Sequence, residues 1–202
     1  MDYLEIASYV GTIAFAISGI IIGIRKNLDI MGIFILAFLT SSGGGVLRDI
    51  LLDRPPMIFS NESVFLIIIA IMLVFMLLRK RDLIDKLEGT FAFRISDTVG
   101  LVAFAISGGE TAIMLGYSFF TVVIISFLTA VGGGIIRDIL VNEVPEILKS
   151  GFYGTNAVFI GALLFLFHTG NIPQDISIPL VFFSGLILRY FAIAKQISLP
   201  KL

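Results

Sequence analysis

The sequence has no cysteine, no tryptophan and a single histidine, His168, and only 14% of its 202 residues are charged. Without cysteine there is no disulfide framework, iron–sulfur cluster or thiolate zinc site. One histidine cannot build a histidine metal cluster, so neither a structural metal nor a cofactor is expected. A formal net charge of −1 provides no basic field for nucleic acid. Ordinary soluble domains are about 25% charged. Here 57% of residues are hydrophobic and the mean hydropathy is +1.04. A soluble domain of this length leaves too much surface exposed to hide so many apolar side chains. The opening Met-Asp-Tyr-Leu-Glu is acidic and lacks the positive region of a signal peptide, so the first apolar segment is expected to stay as a membrane helix.

Apolar stretches fall at 6–24, 30–52, 64–78, 95–115, 118–141, 152–167 and 178–194. They lack the period-two alternation of barrel strands. Seven transmembrane helices are expected, the third and sixth drawing on flanking residues to cross a core about 30 Å thick. Basic residues set the orientation. With the amino terminus outside, the cytoplasmic side holds Arg25, Lys26, Arg79, Lys80, Arg81, Lys86, Arg94, Lys149, Arg189, Lys195 and Lys201, and the outside holds only Arg54. That bias predicts a multi-pass protein of the cell (inner) membrane, amino terminus out and carboxyl terminus in.

An internal repeat organises the chain. Ala14-Phe15-Ala16-Ile17-Ser18-Gly19 recurs as Ala103-Phe104-Ala105-Ile106-Ser107-Gly108, an offset of 89. At the same offset TSSGGGVLRDILLDRPP (40–56) recurs as TAVGGGIIRDILVNEVP (129–145), with nine of 17 positions identical. Three helices per copy is an odd number, so the second copy enters the bilayer from the opposite side. The predicted layout is a first three-helix repeat (1–78), a charged cytoplasmic linker (79–94), a second, inverted repeat (95–167), and a seventh helix with a tail (168–202).

The glycine triplets Gly43-Gly44-Gly45 and Gly132-Gly133-Gly134 lie well inside the second and fifth stretches. Runs of glycine lose maximal backbone entropy on ordering, which predicts a kinked or opened helix there. The competing reading is close helix packing through small residues. Three residues beyond each triplet stand Arg48-Asp49 and Arg137-Asp138, four charges that need partners or water inside a membrane. Neighbouring helix positions point about 100° apart, so cross-repeat pairs are expected, Arg48 with Asp138 and Arg137 with Asp49. Thr12, Ser18, Thr40, Asp97, Ser107 and Thr129 are further polar residues in apolar surroundings, and Phe15 and Phe104 stand beside the repeated serines as candidate pore constrictions. The Ala-Ile-Ser-Gly strings lack the leading glycine of a serine nucleophile motif, and His168 lies at the end of the sixth stretch. No enzymatic activity is expected.

With both GGGxxRD motifs, the doubled AFAISG and three plus three plus one helices, the chain resembles the prokaryotic trimeric intracellular cation (TRIC) channels over residues 5 to 195. The resemblance implies an all-α homotrimer, each protomer enclosing its own pore for monovalent cations, chiefly K+ and with it Na+. That pore would be lined by the helices broken at the triplets, and its only metal would be the permeant ion. It would pass Gly43 to Gly45, Gly132 to Gly134, Arg48, Asp49, Arg137 and Asp138, with membrane lipid outside. Charge alone does not decide selectivity: half-helix dipoles and arginines favour anions, while carboxylates and freed carbonyls favour cations. Inverted repeats also point to a secondary transporter of a small amino acid such as glycine. A lipid-facing structural trimer with an occluded pore is a third reading.

Overall fold

A computed structural model describes residues 2–79, 90–149, 151–195 and 197. Among these the chain is all helical, without strands. In order come α1 (Tyr3–Arg25), α2 (Ile30–Leu51), a one-turn α3 (Met57–Ser60), α4 (Glu62–Arg79), α5 (Thr90–Met114), α6 (Phe119–Leu140), a one-turn α7 (Glu146–Lys149), α8 (Gly151–Thr169) and α9 (Gln174–Ala194). Six of them are long and apolar enough to cross a membrane, and α4 contributes a shorter apolar helix over Glu62–Leu77. The third and sixth stretches do recruit flanking residues, reaching 18 and 19 residues as α4 and α8. Most of the expected linker, residues 80–89, lies outside the described residues. Its end, from Thr90, is already the first turn of α5, where Phe91 and Phe93 extend the apolar run.

Tight turns join the helices. Asn27, Asp53, Asn142, Asn171 and Gly116 each take a positive φ, between 52° and 75°. Asparagine, aspartate and glycine tolerate that left-handed conformation best. The following amide closes each helix end on a carbonyl five residues back, as in Leu28 to Gly23 (3.0 Å) and Glu143 to Asp138 (2.8 Å).

The packing divides into two apolar clusters. One gathers Ile20, Ile33, Ala37, Ile68 and Met72 from α1, α2 and α4. The other gathers Phe15, Phe104, Ile106, Val122, Ile160, Leu164 and Val181, chiefly from α5, α6, α8 and α9. The remaining apolar side chains, among them Leu66, Leu77, Phe183 and Ile187, face outward, as surfaces that meet hydrocarbon do.

The glycine triplets do not break their helices. Both α2 and α6 run through them uninterrupted, so no half-helix dipoles meet at midplane. The physical reason is the crossing of α2 over α6. A Cβ on Gly44 would lie 2.1 Å from the Thr129 carbonyl oxygen, and one on Gly133 would lie 2.0 Å from that of Thr40. Absence of side chains lets the two backbones touch, and that contact outweighs the entropic cost of ordering glycine. Gly44 and Gly133 therefore serve close packing, and neither helix opens at its triplet. Gly43 faces Ile136, Gly132 packs on Gly44 and Gly134 lies under the Tyr153 hydroxyl, while Gly45 has open space.

Candidate functional site

The centre of the site is a pair of rings. Phe15 on α1 and Phe104 on α5 meet at 5.3 Å between centroids, tilted by 55°. Each occupies the hollow left by the other helix's glycine: Phe104 against Gly11 and Phe15 against Gly100. Both rings are buried. Such a pair is favourable beyond its apolar burial, and it sits between α1 and α5 with Phe15 also packed against Gly133 of α6.

One arginine cluster lies on each side of this pair, near opposite ends of the bundle. Arg48 occupies the last turn of α2 and Arg137 the last turn of α6, where a cation meets the negative end of the helix dipole. Neither pairs across the repeat. Arg48 donates from Nε to Asp49 Oδ1 at 2.8 Å, with Nη2 also 2.8 Å away. Arg137 does the same to Asp138, with both distances at 2.9 Å. The expected Arg48–Asp138 and Arg137–Asp49 clamps are therefore overturned. Divergence of adjacent Cβ atoms did not prevent the pairing, because a flexible arginine folds back along its helix. The second oxygen of each carboxylate is held by the next short helix, with the amides of Met57 and Glu146 donating to Asp49 and Asp138 at 2.9 Å.

What does cross between the copies is arginine to serine. Arg48 Nη1 donates to Ser107 Oγ on α5 at 2.6 Å, and Ser107 in turn meets Ser8 on α1 at 2.8 Å. Arg137 Nη1 donates to Ser18 Oγ on α1 and, at 2.6 Å, to Asp97 Oδ1 on α5. The Arg48 and Arg137 guanidinium groups are thus desolvated but charge-paired and hydrogen-bonded, the condition for a buried ion to persist, although Arg137 Nη2 has only the Asp138 ion pair and no hydrogen bond.

A cavity adjoins each cluster. The Arg48 side has about 30 Å³ bordered by Ser8, Thr12, Ser41, Gly45, Asp49 and Phe104. The Arg137 side opens into about 500 Å³ whose wall includes Asp97, Asp138, Glu146, Arg25 and Arg189. Lys26 and Glu143 form a 2.6 Å ion pair on its wall. Lys26 holds the Glu143 carboxyl below its usual range, whereas burial pushes that of Glu146 up. Thr40 and Thr129 spend their hydroxyls on Leu36 and Ile125 carbonyls of their own helices, the structural role such residues usually take. The site thus unites Thr12, Phe15, Ser18, Asp97, Phe104 and Ser107 with the two Arg-Asp pairs.

A family model described as Glycine transporter matches residues 5–80 and again 94–169, the second match displaced by the repeat's 89 positions. The UPF0126 membrane protein YvgT of Bacillus subtilis (strain 168) is 32% identical over 198 residues, 97% of this chain and 95% of that one. A structure solved to explain conductance through TRIC cation channels is 36% identical, with a TM-score of 0.85 over 98% of this chain and 96% of its own. A prokaryotic TRIC channel crystallised in 0.5 M KCl shares 34% identity and a TM-score of 0.87, covering 97% and 98%.

This chain belongs to the TRIC family. It is an all-helical, multi-pass membrane protein, and the transporter name of the matching model is a family label that identifies no substrate. Sequence reasoning missed several residues of this TRIC site. Arg189, counted as a cytoplasmic charge, is only 4% exposed and lies over the Tyr153 ring at 4.8 Å. Ser8 and Tyr153 carried one available signal: at the repeat offset they align with Asp97 and Val64, so each marks a polar difference between the copies.

Proposed function

We propose that this TRIC protein is a homotrimeric monovalent-cation channel, chiefly for K+, with one pore in each protomer. The pore runs along the α1, α2, α5 and α6 core from the Arg48 cavity to the Arg137 cavity, and the Phe15–Phe104 pair closes it. The carrying observation is that two cavities stand on either side of one aromatic pair, each lined by the aspartate of a buried Arg-Asp pair. Groups of this kind inside a bundle mark ion pathways, and aromatic constrictions gate by excluding water. Similarity to solved TRIC cation channels supports the same reading.

The layout we propose is two inverted repeats, α1, α2 and α4 (1–78) against α5, α6 and α8 (95–167), with a linker over 79–94 and α9 standing outside (168–202). Exchanged contacts support it: Phe15 with Gly100 against Phe104 with Gly11, and Arg48 with Ser107 against Arg137 with Ser18. The basic bias favours the inner membrane with the amino terminus outside, which puts the Arg137 cavity on the cytoplasmic side. K+ flux into liposomes tests the pathway. Phe104→Ala removes half the plug and should raise flux well above wild type; unchanged flux in Phe104→Ala would place the path elsewhere.

A carrier of a small amino acid is the second reading. It is favoured by the inequality of the cavities, about 500 against 30 Å³, as in a transporter open to one side. Saturable glycine counterflow would establish it.

A further inference from the structure

The two arginine clusters are matched group for group at the repeat offset, except in one place. Arg48 corresponds to Arg137, Asp49 to Asp138 and Ser107 to Ser18, but Ser8 corresponds to Asp97. In the first cluster the fourth position is a hydroxyl, Ser8, 2.8 Å from Ser107. In the second it is a carboxylate, 2.6 Å from Arg137. One arginine thus meets one acid, and the other meets two.

Asp97 also stands where an ion must pass. It is 3% exposed and lines the large cavity, while Arg137 is fully buried behind it. Arg137 bonds Ser18, one helical turn from Phe15, so Asp97 lies at the cavity floor beneath the plug. The rest of the wall leans the other way. It carries Arg25, Lys26, Arg94, Lys149 and Arg189 against Asp138, Glu143 and Glu146, and Lys26 is neutralised by Glu143. A basic entrance by itself concentrates anions.

We propose that Asp97 sets the preference of this pore for cations over anions, by placing at the floor of the Arg137 cavity the acid that the matching position, Ser8, lacks. This rests on the channel reading and names the residue that gives it charge selectivity. The guanidinium of Arg137 is engaged by Ser18, Asp97 and Asp138, so its single positive charge faces two carboxylates at the floor of the cavity. Field lines in a narrow low-dielectric cavity focus on such a charge, so one carboxylate at the floor outweighs more distant cations at the rim.

The test is the reversal potential of purified protein in planar bilayers under a KCl gradient, for four proteins. Wild type should reverse near the potassium potential. Asp97→Ser, which copies the first cluster, should lower the K+ to Cl⁻ permeability ratio several-fold. Ser8→Asp alone leaves the Asp97–Arg137 pair intact and should raise that ratio. The double variant should recover part of the loss by moving the acid to the Arg48 cluster. An Asp97→Ser channel with the wild-type reversal potential overturns the proposal. If Asp97→Ser does not fold, Ser8→Asp decides: a raised ratio supports the proposal and an unchanged one overturns it. Wild-type protein that passes no current removes the channel reading itself, a failure distinct from conduction with unaltered selectivity.

Discussion

Alanine at three glycines of the two triplets should give opposite results according to what each methyl meets. At Gly133 the new Cβ would lie 2.0 Å from the Thr40 carbonyl oxygen, and at Gly44 it would lie 2.1 Å from that of Thr129. Ordinary contact begins near 3.4 Å, so α2 and α6 must separate locally by about 1.3 to 1.4 Å. Backbone cannot rotate away as a side chain can. Overpacking of this kind costs about 1–3 kcal/mol and at times more, and separation also forfeits dispersion contacts along the crossing. Gly45, next to Gly44 in the same helix, has nothing within 4 Å. There the methyl is free, and exchanging glycine for alanine in a helix gains about 1 kcal/mol. Thermal melting in detergent measures all three. Gly44→Ala and Gly133→Ala should melt well below wild type, and Gly45→Ala at or above it. Equal shifts for Gly44→Ala and Gly45→Ala would refute the backbone crossing and revive conformational freedom as the purpose of the triplets.

Other expectations follow from the charged groups. Arg137→Gln strands Asp97 and Asp138 in a buried site and should cost about 3–5 kcal/mol, with strong coupling in an Arg137/Asp138 double-mutant cycle. The Arg48/Asp138 cycle should be additive, since those residues do not pair. Glu146 is pushed up by burial, so its ionisation disfavours the folded state as pH rises through its folded value. Glu146→Gln should therefore raise the melting temperature at pH 7 and leave it unchanged below the ordinary carboxylate range. Glu143 is held down by Lys26, so its contribution is present above the ordinary carboxylate range and lost as pH falls through its folded value. The pair is exposed, and Lys26→Ala should cost no more than about 1 kcal/mol. Cysteines replacing Asp2 and Lys201 report topology: an impermeant maleimide on intact cells should label the first and not the second.

The helices were legible because apolar runs of about 20 residues admit little else in hydrocarbon, and the repeat because two motifs share one offset. The opening expected at the triplets was argued on local grounds alone. Glycine's conformational freedom argues for a break, and only the crossing partner shows that a methyl has no room at Gly44. The proposed two-fold layout offers the clue, since in it matched residues near the axis approach each other. The Arg-Asp pairs were misjudged for a related reason. Helix geometry describes Cβ directions, but Asp49 is aimed by the Met57 amide, which arrives only after a turn. Tyr153 differs from its repeat partner Val64, a signal that was there to read, whereas Arg189 stands in a helix with no partner in the repeat to compare. Burial of Arg189 over an aromatic face is a tertiary fact that no spacing announces.

Single-channel recording from purified protein in planar bilayers tests the proposed function most directly. A channel closed by the Phe15–Phe104 plug gives discrete, ohmic unitary K+ currents, whose open probability or amplitude rises in Phe104→Ala. Saturable glycine counterflow without unitary events, in a protein that folds and reconstitutes normally, would contradict the channel and establish the carrier.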